Sequence, residues 1–421
     1  MTTGPAVLAN SSTTPILDRL TPPPPPLSVK ARPISIVVAI IVIAAVVMLI
    51  VVIMSSPRAL ELSYGPASKI NNFIDRIFAN TPGGDVAGPL MLWLMFTPWL
   101  ALFAIIGVHE LGHVMAGRCT GFRIIGMYLG PIEIVPLFRM KLRRKPRLPG
   151  AAGLTVLVPL HSRNLRSRAV VMLLAGPIAN LVTGFALALL VPNYGLFSGC
   201  FIFFSLLVGF INLLPFRRFA LHSDGQRILM LLRNSAQGER WLALMQLTAD
   251  LQGGTDFEHL NPEFIAIATA IQDGSPDTVS AHGLAYGAAF HRHDDNEAAR
   301  LLEVCLRYSG FVPPLMREAG FADAAIFQAR RRKRADLAQQ WLADIPDNPL
   351  LPEWRLHAQA AILECQGDIP AALKKLDESE ALTLKLAEPY RREVSLRSLR
   401  KWQAELQAMQ SPAVETIHSL S

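Results

Sequence analysis

Charge is scarce in this chain. Asp, Glu, Lys and Arg make up 17% of its 421 residues, against about 25% in ordinary soluble domains. With 51% hydrophobic residues beside it, that deficit excludes a mainly disordered protein. Acidic residues are scarcest early in the chain. Residues 1–235 hold 7 of them against 21 Lys and Arg, whereas residues 236–421 hold 26 against 19. The net charge of +7 therefore averages an apolar basic half and an acidic half. Cysteine is equally sparse. Cys119, Cys200, Cys305 and Cys365 form no C-x-x-C pair, which excludes a cysteine zinc site and argues against a disulfide framework. A cleavable signal is lacking too. The first apolar run starts only at Ile34, is too long for an h-region and follows a Pro22–Pro26 run. Residues 1–33 are expected to be a disordered cytoplasmic arm.

Three stretches have no charged residue over a bilayer's width: Ile34 to Met54, Val86 to Val108, and Ala169 to Phe216. The last is 48 residues long and is broken by Pro192-Asn193-Tyr194-Gly195 into two runs. A helix needs roughly 20 residues to cross about 30 Å of hydrocarbon, and no polar stripe marks these runs as soluble helices. The expectation is about four spans. Between the second and third, residues 117–168 carry eleven basic residues and one acidic, Glu133, whereas loop 55–85 is balanced. The excess of basic charge places 117–168 and both termini in the cytoplasm, with 55–85 outside. So close to a bilayer, anionic lipid headgroups are a better partner for this loop than nucleic acid, and no nucleic-acid partner is expected.

The second run leads directly into His109-Glu110-Leu111-Gly112-His113. Histidines at i and i+4 lie on one helical face, where both imidazoles reach a single zinc. The glutamate between them can take the proton of a metal-bound water. Ionisable residues at the end of a membrane helix are costly, so a functional site is the default reading.

That pentapeptide resembles the HExGH of the site-2 protease family of intramembrane zinc metallopeptidases. Gly176-Pro177-Ile178-Ala179-Asn180 is similar to that family's GPxxN, and Asn212-Leu213-Leu214-Pro215 with Asp224-Gly225 resembles its N-x-x-P and DG element. The resemblance covers about residues 86–230. It implies one Zn²⁺ per chain held by His109, His113 and Asp224, with Glu110 as catalytic base and Asn180 holding the substrate peptide or its oxyanion. It implies hydrolysis of a membrane-spanning protein substrate by a multi-pass protein of a bacterial cytoplasmic membrane. One departure is plain: nine positions separate Pro215 from Asp224, about four more than the family usually has. A helical insert would return the carboxylate to a similar face. Otherwise Asp224-Gly225 is a plain turn or cap, with His222 the competing ligand.

Within 117–168, Ile124 to Leu137 and Gly153 to Leu160 are apolar and β-prone, with Arg143-Arg144-Lys145 between them. The resemblance suggests a hairpin or sheet beside the site, offering a strand edge to an unwound substrate. A peripheral hairpin held by lipid is the plainer alternative.

From about Asn234 the composition turns to Ala, Leu, Glu, Arg and Gln with helical periodicity. Three helix pairs recur, with second helices starting near Asp295, Arg334 and Asp368. Ala299, Ala338 and Ala372 are spaced by 39 and 34 residues, close to the tetratricopeptide period. A generic helical bundle remains open. Either arrangement suits a cytoplasmic protein partner.

The expected fold class is mainly α: a polytopic membrane bundle with a small membrane-associated β-hairpin region, then a soluble α-helical repeat domain. The expected domains are the arm at 1–33, an anchor at 34–54, an outer loop at 55–85, a metalloprotease core at 86–233 and a tetratricopeptide-like domain at 234–421. The competing function is a non-proteolytic membrane adaptor with a degenerate core, motivated by the stretched Pro215–Asp224 spacing.

Overall fold

The computed structural model describes residues 15–25, 87–130, 132–135, 139–142, 152–191, 196–218, 221–347, 349, 351–386 and 389–410. The expected anchor at 34–54, the loop at 55–85, most of the arm, the basic centre at 143–145 and the turn at 192–195 lie outside these residues.

The second charge-free run forms helix α1, Ala87–Cys119, of 33 residues. It does not stop where the apolar run stops. Leu111, Val114, Met115 and Ala116 carry it past the histidines until Gly121, at φ 77°, ends it. The HExGH motif therefore lies inside a helix and not at its terminus. Four strands follow: β1 (Phe122–Leu129), β2 (Ile132–Val135), β3 (Arg139–Leu142) and β4 (Gly153–Pro159). They form one antiparallel sheet ordered β3-β2-β1-β4, so the expected hairpin is a four-stranded sheet with β4 at one edge. Phe122 and Leu157 of the sheet share a core with Leu165, Ala169 and Met172 of α2, which runs from Leu165 to Leu190.

Helix α3, Leu196–Leu213, packs on both α1 and α2. Of the described helices, two are long and apolar enough to cross a membrane, over Met95–Cys119 and Leu165–Leu190. The second half of the 48-residue run yields a shorter apolar helix. The described residues thus hold two helices of spanning length, not the four expected. Their outer faces are apolar: Trp99 is 71% exposed and Leu189 84%. Only 33% of either span is buried inside the protein, which sets these helices apart from the core helices of a soluble fold.

Beyond α3, residues Arg217–Arg218 (β5) and Leu221–His222 (β6) pair antiparallel and lead into α4, Asp224–Leu232. Helix α5, Ala236–Gln252, follows after a tight turn in which Asn234 takes φ 49° and Ser235 caps the new helix. This turn coincides with the expected boundary at 233/234, yet it is no loose linker. Arg227 of α4 pairs with Asp277 at 2.8 Å, and Arg166 of α2 donates to Leu231 O at 2.8 Å.

The remaining helices are α6 (Pro262–Thr269), α7 (Pro276–His291), α8 (Asp295–Arg307), α9 (Pro314–Arg330), α10 (Ala335–Ala343), α11 (Pro352–Cys365), α12 (Ile369–Leu384) and α13 (Pro389–Gln410). Three successive pairs pack together, α7 with α8, α9 with α10, and α11 with α12, while α9 also packs on α11. The second helices start at Asp295, Ala335 and Ile369, within a residue of expectation. In the first pair the fully buried alanine is Ala298 and not Ala299, one position earlier than the aligned Ala338 and Ala372. Residues 15–25 lie against this domain, with Leu17 only 2% exposed in its core. That stretch of the arm is ordered, contrary to expectation.

Candidate metal centre

The i, i+4 spacing on α1 brings the two imidazoles to one point. His109 Nε2 and His113 Nε2 are 3.1 Å apart. The Oδ2 of Asp224 lies 3.1 Å from His109 Nε2 and 3.6 Å from His113 Nε2. Bonds of 2.0–2.1 Å in a tetrahedron put neighbouring ligand atoms about 3.3 Å apart, so the three edges suit one metal ion. Two imidazole lone pairs facing each other this closely repel unless a cation or proton lies between them. The arrangement itself calls for a positive centre.

Asp224 arrives by a route that its chain spacing did not indicate. The extra residues after Pro215 are not helical; they form the β5–β6 hairpin, which folds out and back. Ser223 closes the excursion. Its Oγ donates to Leu214 O at 2.7 Å, and it accepts from the N–H groups of Phe216 and Gln226, both at 3.1 Å. Capped by Ser223, α4 starts on Asp224, where the helix dipole favours an anion. Burial works against the Asp224 carboxylate, but the two imidazoles beside it outweigh burial and favour the ionised form. His222 is not part of the cluster.

Neighbouring elements orient the ligands. His113 Nδ1 lies 2.8 Å from the carbonyl of Met172 on α2, which fixes the proton on Nδ1 and leaves Nε2 free for a metal. Asn180, fully buried on α2, faces the opposite edge of His109, with its amide nitrogen 3.2 Å from Nδ1. Its Oδ1 is buried without a hydrogen bond. With the amide's O and N exchanged, Oδ1 accepts Nδ1–H of His109, which leaves the His109 Nε2 lone pair facing the cluster. Gly176 supplies room. A Cβ there would strike His113 and lie 2.9 Å from His109 Nε2.

Glu110 is 5% exposed, and its Oε2 accepts from Thr155 Oγ1 on β4 at 2.5 Å. Gly153, on the same face of that strand, has no space for a side chain against Ile106 and the Glu110 carboxylate. Sequence reasoning identified the β-prone run but missed Thr155, Gly153 and Met172. A Gly-x-Thr at alternating positions was the available signal. All five residues expected at the site are brought together, with Asn180 behind a ligand rather than facing the open side.

The model of Peptidase family M50, the site-2 protease family, matches residues 98–198. That span contains His109, Glu110, His113 and Asn180, and supports a membrane-bound protease. It stops short of Asp224 and of the helical domain, so the place of Asp224 in the cluster rests on the geometry above. No curated protein and no solved structure matches the chain.

Proposed function

We propose that this protein is an integral-membrane zinc endopeptidase that hydrolyses peptide bonds within a membrane-spanning segment of another protein. The observation that carries the reading is the convergence of His109, His113 and Asp224 beside the buried Glu110, inside an apolar helix. A zinc ion held there supplies a polarised carbonyl and a water acidic enough to be deprotonated near neutral pH. Glu110, steadied by Thr155, accepts that proton and passes it to the departing amine. Asn180 orients His109 for the metal. Strand β4 passes Glu110 at the edge of its sheet, which suits addition of an extended substrate strand next to the catalytic base.

Four crossings remain the best topology. Contact between residues 15–25 and the helical domain supports both lying on one side of the membrane, which requires an even number of crossings between them. We count α1 and α2, which are of spanning length, with the shorter apolar α3 as a third crossing, and assign the fourth to the charge-free sequence at 34–54.

Glu110→Gln tests the reading. Zinc should remain at one per chain while cleavage falls by about 10²- to 10⁴-fold. Membrane proteins that copurify with the variant should be cut when purified wild-type protein is added. Unchanged turnover by the variant would overturn a zinc mechanism based on Glu110, and no cleavage by the wild type would leave the adaptor.

A further inference from the structure

The contact made by residues 15–25 has the character of a bound peptide. Leu17 is buried in the same core cluster of the helical domain as Trp341, Phe321 and Leu302. Its main chain is read on both sides. Glu303 accepts the N–H groups of Ile16 and Leu17 at 3.0 and 2.9 Å. Gln328 Nε2 and Trp341 Nε1 donate to the Leu17 carbonyl at 2.8 and 3.1 Å. Residues 16–19 form a single turn closed by Arg19 N–H to Ile16 O at 2.9 Å, and side chains of the helical domain satisfy the backbone groups that this turn leaves over.

The flanking residues add a charge pattern. Asp18 pairs with Arg332. Arg19 stacks 3.7 Å over the Trp341 ring and reaches Asp344 at 2.6 Å. Further along, the proline run crosses Gly310, where a Cβ would lie 3.2 Å from both Pro24 Cβ and Pro24 O and would collide with Pro25 O. Gln328 and Trp341 are fully closed from solvent with the segment in place. Glycine at the crossing and buried donors at the leucine are features of a built site, and residues 15–25 fill it.

We propose that the helical domain is a peptide receptor and that residues 15–25 are its intramolecular ligand, keeping the groove closed until they are displaced. The recognised chemistry is a buried leucine followed by an acid–base pair and a proline run. Tethering gives the arm an effective concentration on the order of millimolar. A free peptide of the same chemistry must therefore compete with it, and the inference stands whether or not the membrane core is a peptidase.

The test uses the full chain in detergent and a fluorescein-labelled peptide of residues 15–25, read by anisotropy. Leu17→Asp in the chain places a charge where the leucine was buried and should lift the arm. The labelled peptide should then bind at least tenfold more tightly than to the wild-type chain, and adding Gly310→Val should abolish that gain. Arg19→Glu, a milder lesion that leaves the groove itself unchanged, should unmask it in part for the same peptide, and this variant carries the test if Leu17→Asp fails to fold. Equal affinity for masked and unmasked chains overturns the proposal, as does no binding to either. Masking that disappears on dilution overturns it too, since the contact would then lie between two copies of the chain.

Discussion

The two halves of the chain place polarity in opposite ways. Around α1 and α2 the exposed residues are apolar, among them Trp99, Phe185 and Leu189, while His109, Glu110, His113 and Asn180 are inside. In the helical domain the interior is Phe327, Trp341, Leu301 and Leu306, and ion pairs such as Arg300–Glu297 and Arg334–Asp336 lie outside. One charge that the helical domain buries completely is matched at once. Arg240, fully buried, meets both oxygens of Asp273 at 3.0 Å and also bonds to Thr278 and Ser275. The other half instead crowds two imidazoles against one carboxylate, an arrangement that could hold a metal ion. Buried polarity in one half closes a structure; in the other it prepares chemistry.

The sharpest way to break that contrast is Gly176→Ala. One methyl group on α2 reaches the His113 ring, with Cε1 2.6 Å away, and changes no hydrophobic contact of the helical domain. Zinc affinity should fall by about 100-fold or more, judged by metal-to-protein ratio after dialysis against a weak chelator. Unfolding of the helical domain should keep its midpoint. A variant that binds zinc as tightly as wild type would mean the imidazoles converge elsewhere.

Much of this centre was legible because its residues sit at fixed helical offsets. His109 and His113 are one turn apart in any α-helix, and Gly176 and Asn180 share a face for the same reason. Asp224 was harder. Chain spacing says nothing about whether nine positions form a helix or a hairpin, and the β5–β6 hairpin makes the stretched spacing compatible with an intact ligand set. That removes the motive for a degenerate core. Thr155 was illegible, since its role depends on which strand of the sheet passes Glu110. The helix pairs were readable from small residues, but Ala298 replaces Ala299 because a one-residue shift leaves the composition pattern intact. The docking of residues 15–25 joins segments more than 250 residues apart, and no local pattern in a proline-rich arm announces it.

A second probe lies in the helical domain, where a buried titratable group should act on stability and not on chemistry. His357 accepts or donates at Ser379 Oγ, 2.8 Å from its Nε2, and sits edge-on to Trp402. Burial pushes its pKa down to about 4, against about 6.5 in the unfolded chain. Between those values the unfolded state takes up a proton that the folded state refuses. Stability present above pH 6.5 is therefore lost as the pH falls towards 4, by at most about 3 kcal/mol. Asp323 runs the other way, since burial raises its pKa to about 7 and its contribution weakens with rising pH. The measurement is thus a difference between wild type and His357→Gln, by chemical denaturation at pH 7 and pH 4.5. The wild type should lose more stability than the variant on acidification.

The smallest expected effect returns to the membrane half and asks whether β4 is part of the active site or only packed beside it. Thr155 touches no metal ligand. It holds the Glu110 carboxylate through one short hydrogen bond, and so acts on the reaction through another residue. Thr155→Val keeps the shape of the side chain and deletes the donor. Losing one hydrogen bond of about 1–1.5 kcal/mol should lower kcat roughly tenfold with KM and zinc content unchanged. Thr155→Ser, which keeps the hydroxyl, should recover most of the rate. If β4 were merely a wall, valine would be as active as threonine and serine, the smaller side chain, would be the damaging change. The ranking of valine against serine therefore separates a strand that positions the base from one that only packs against it.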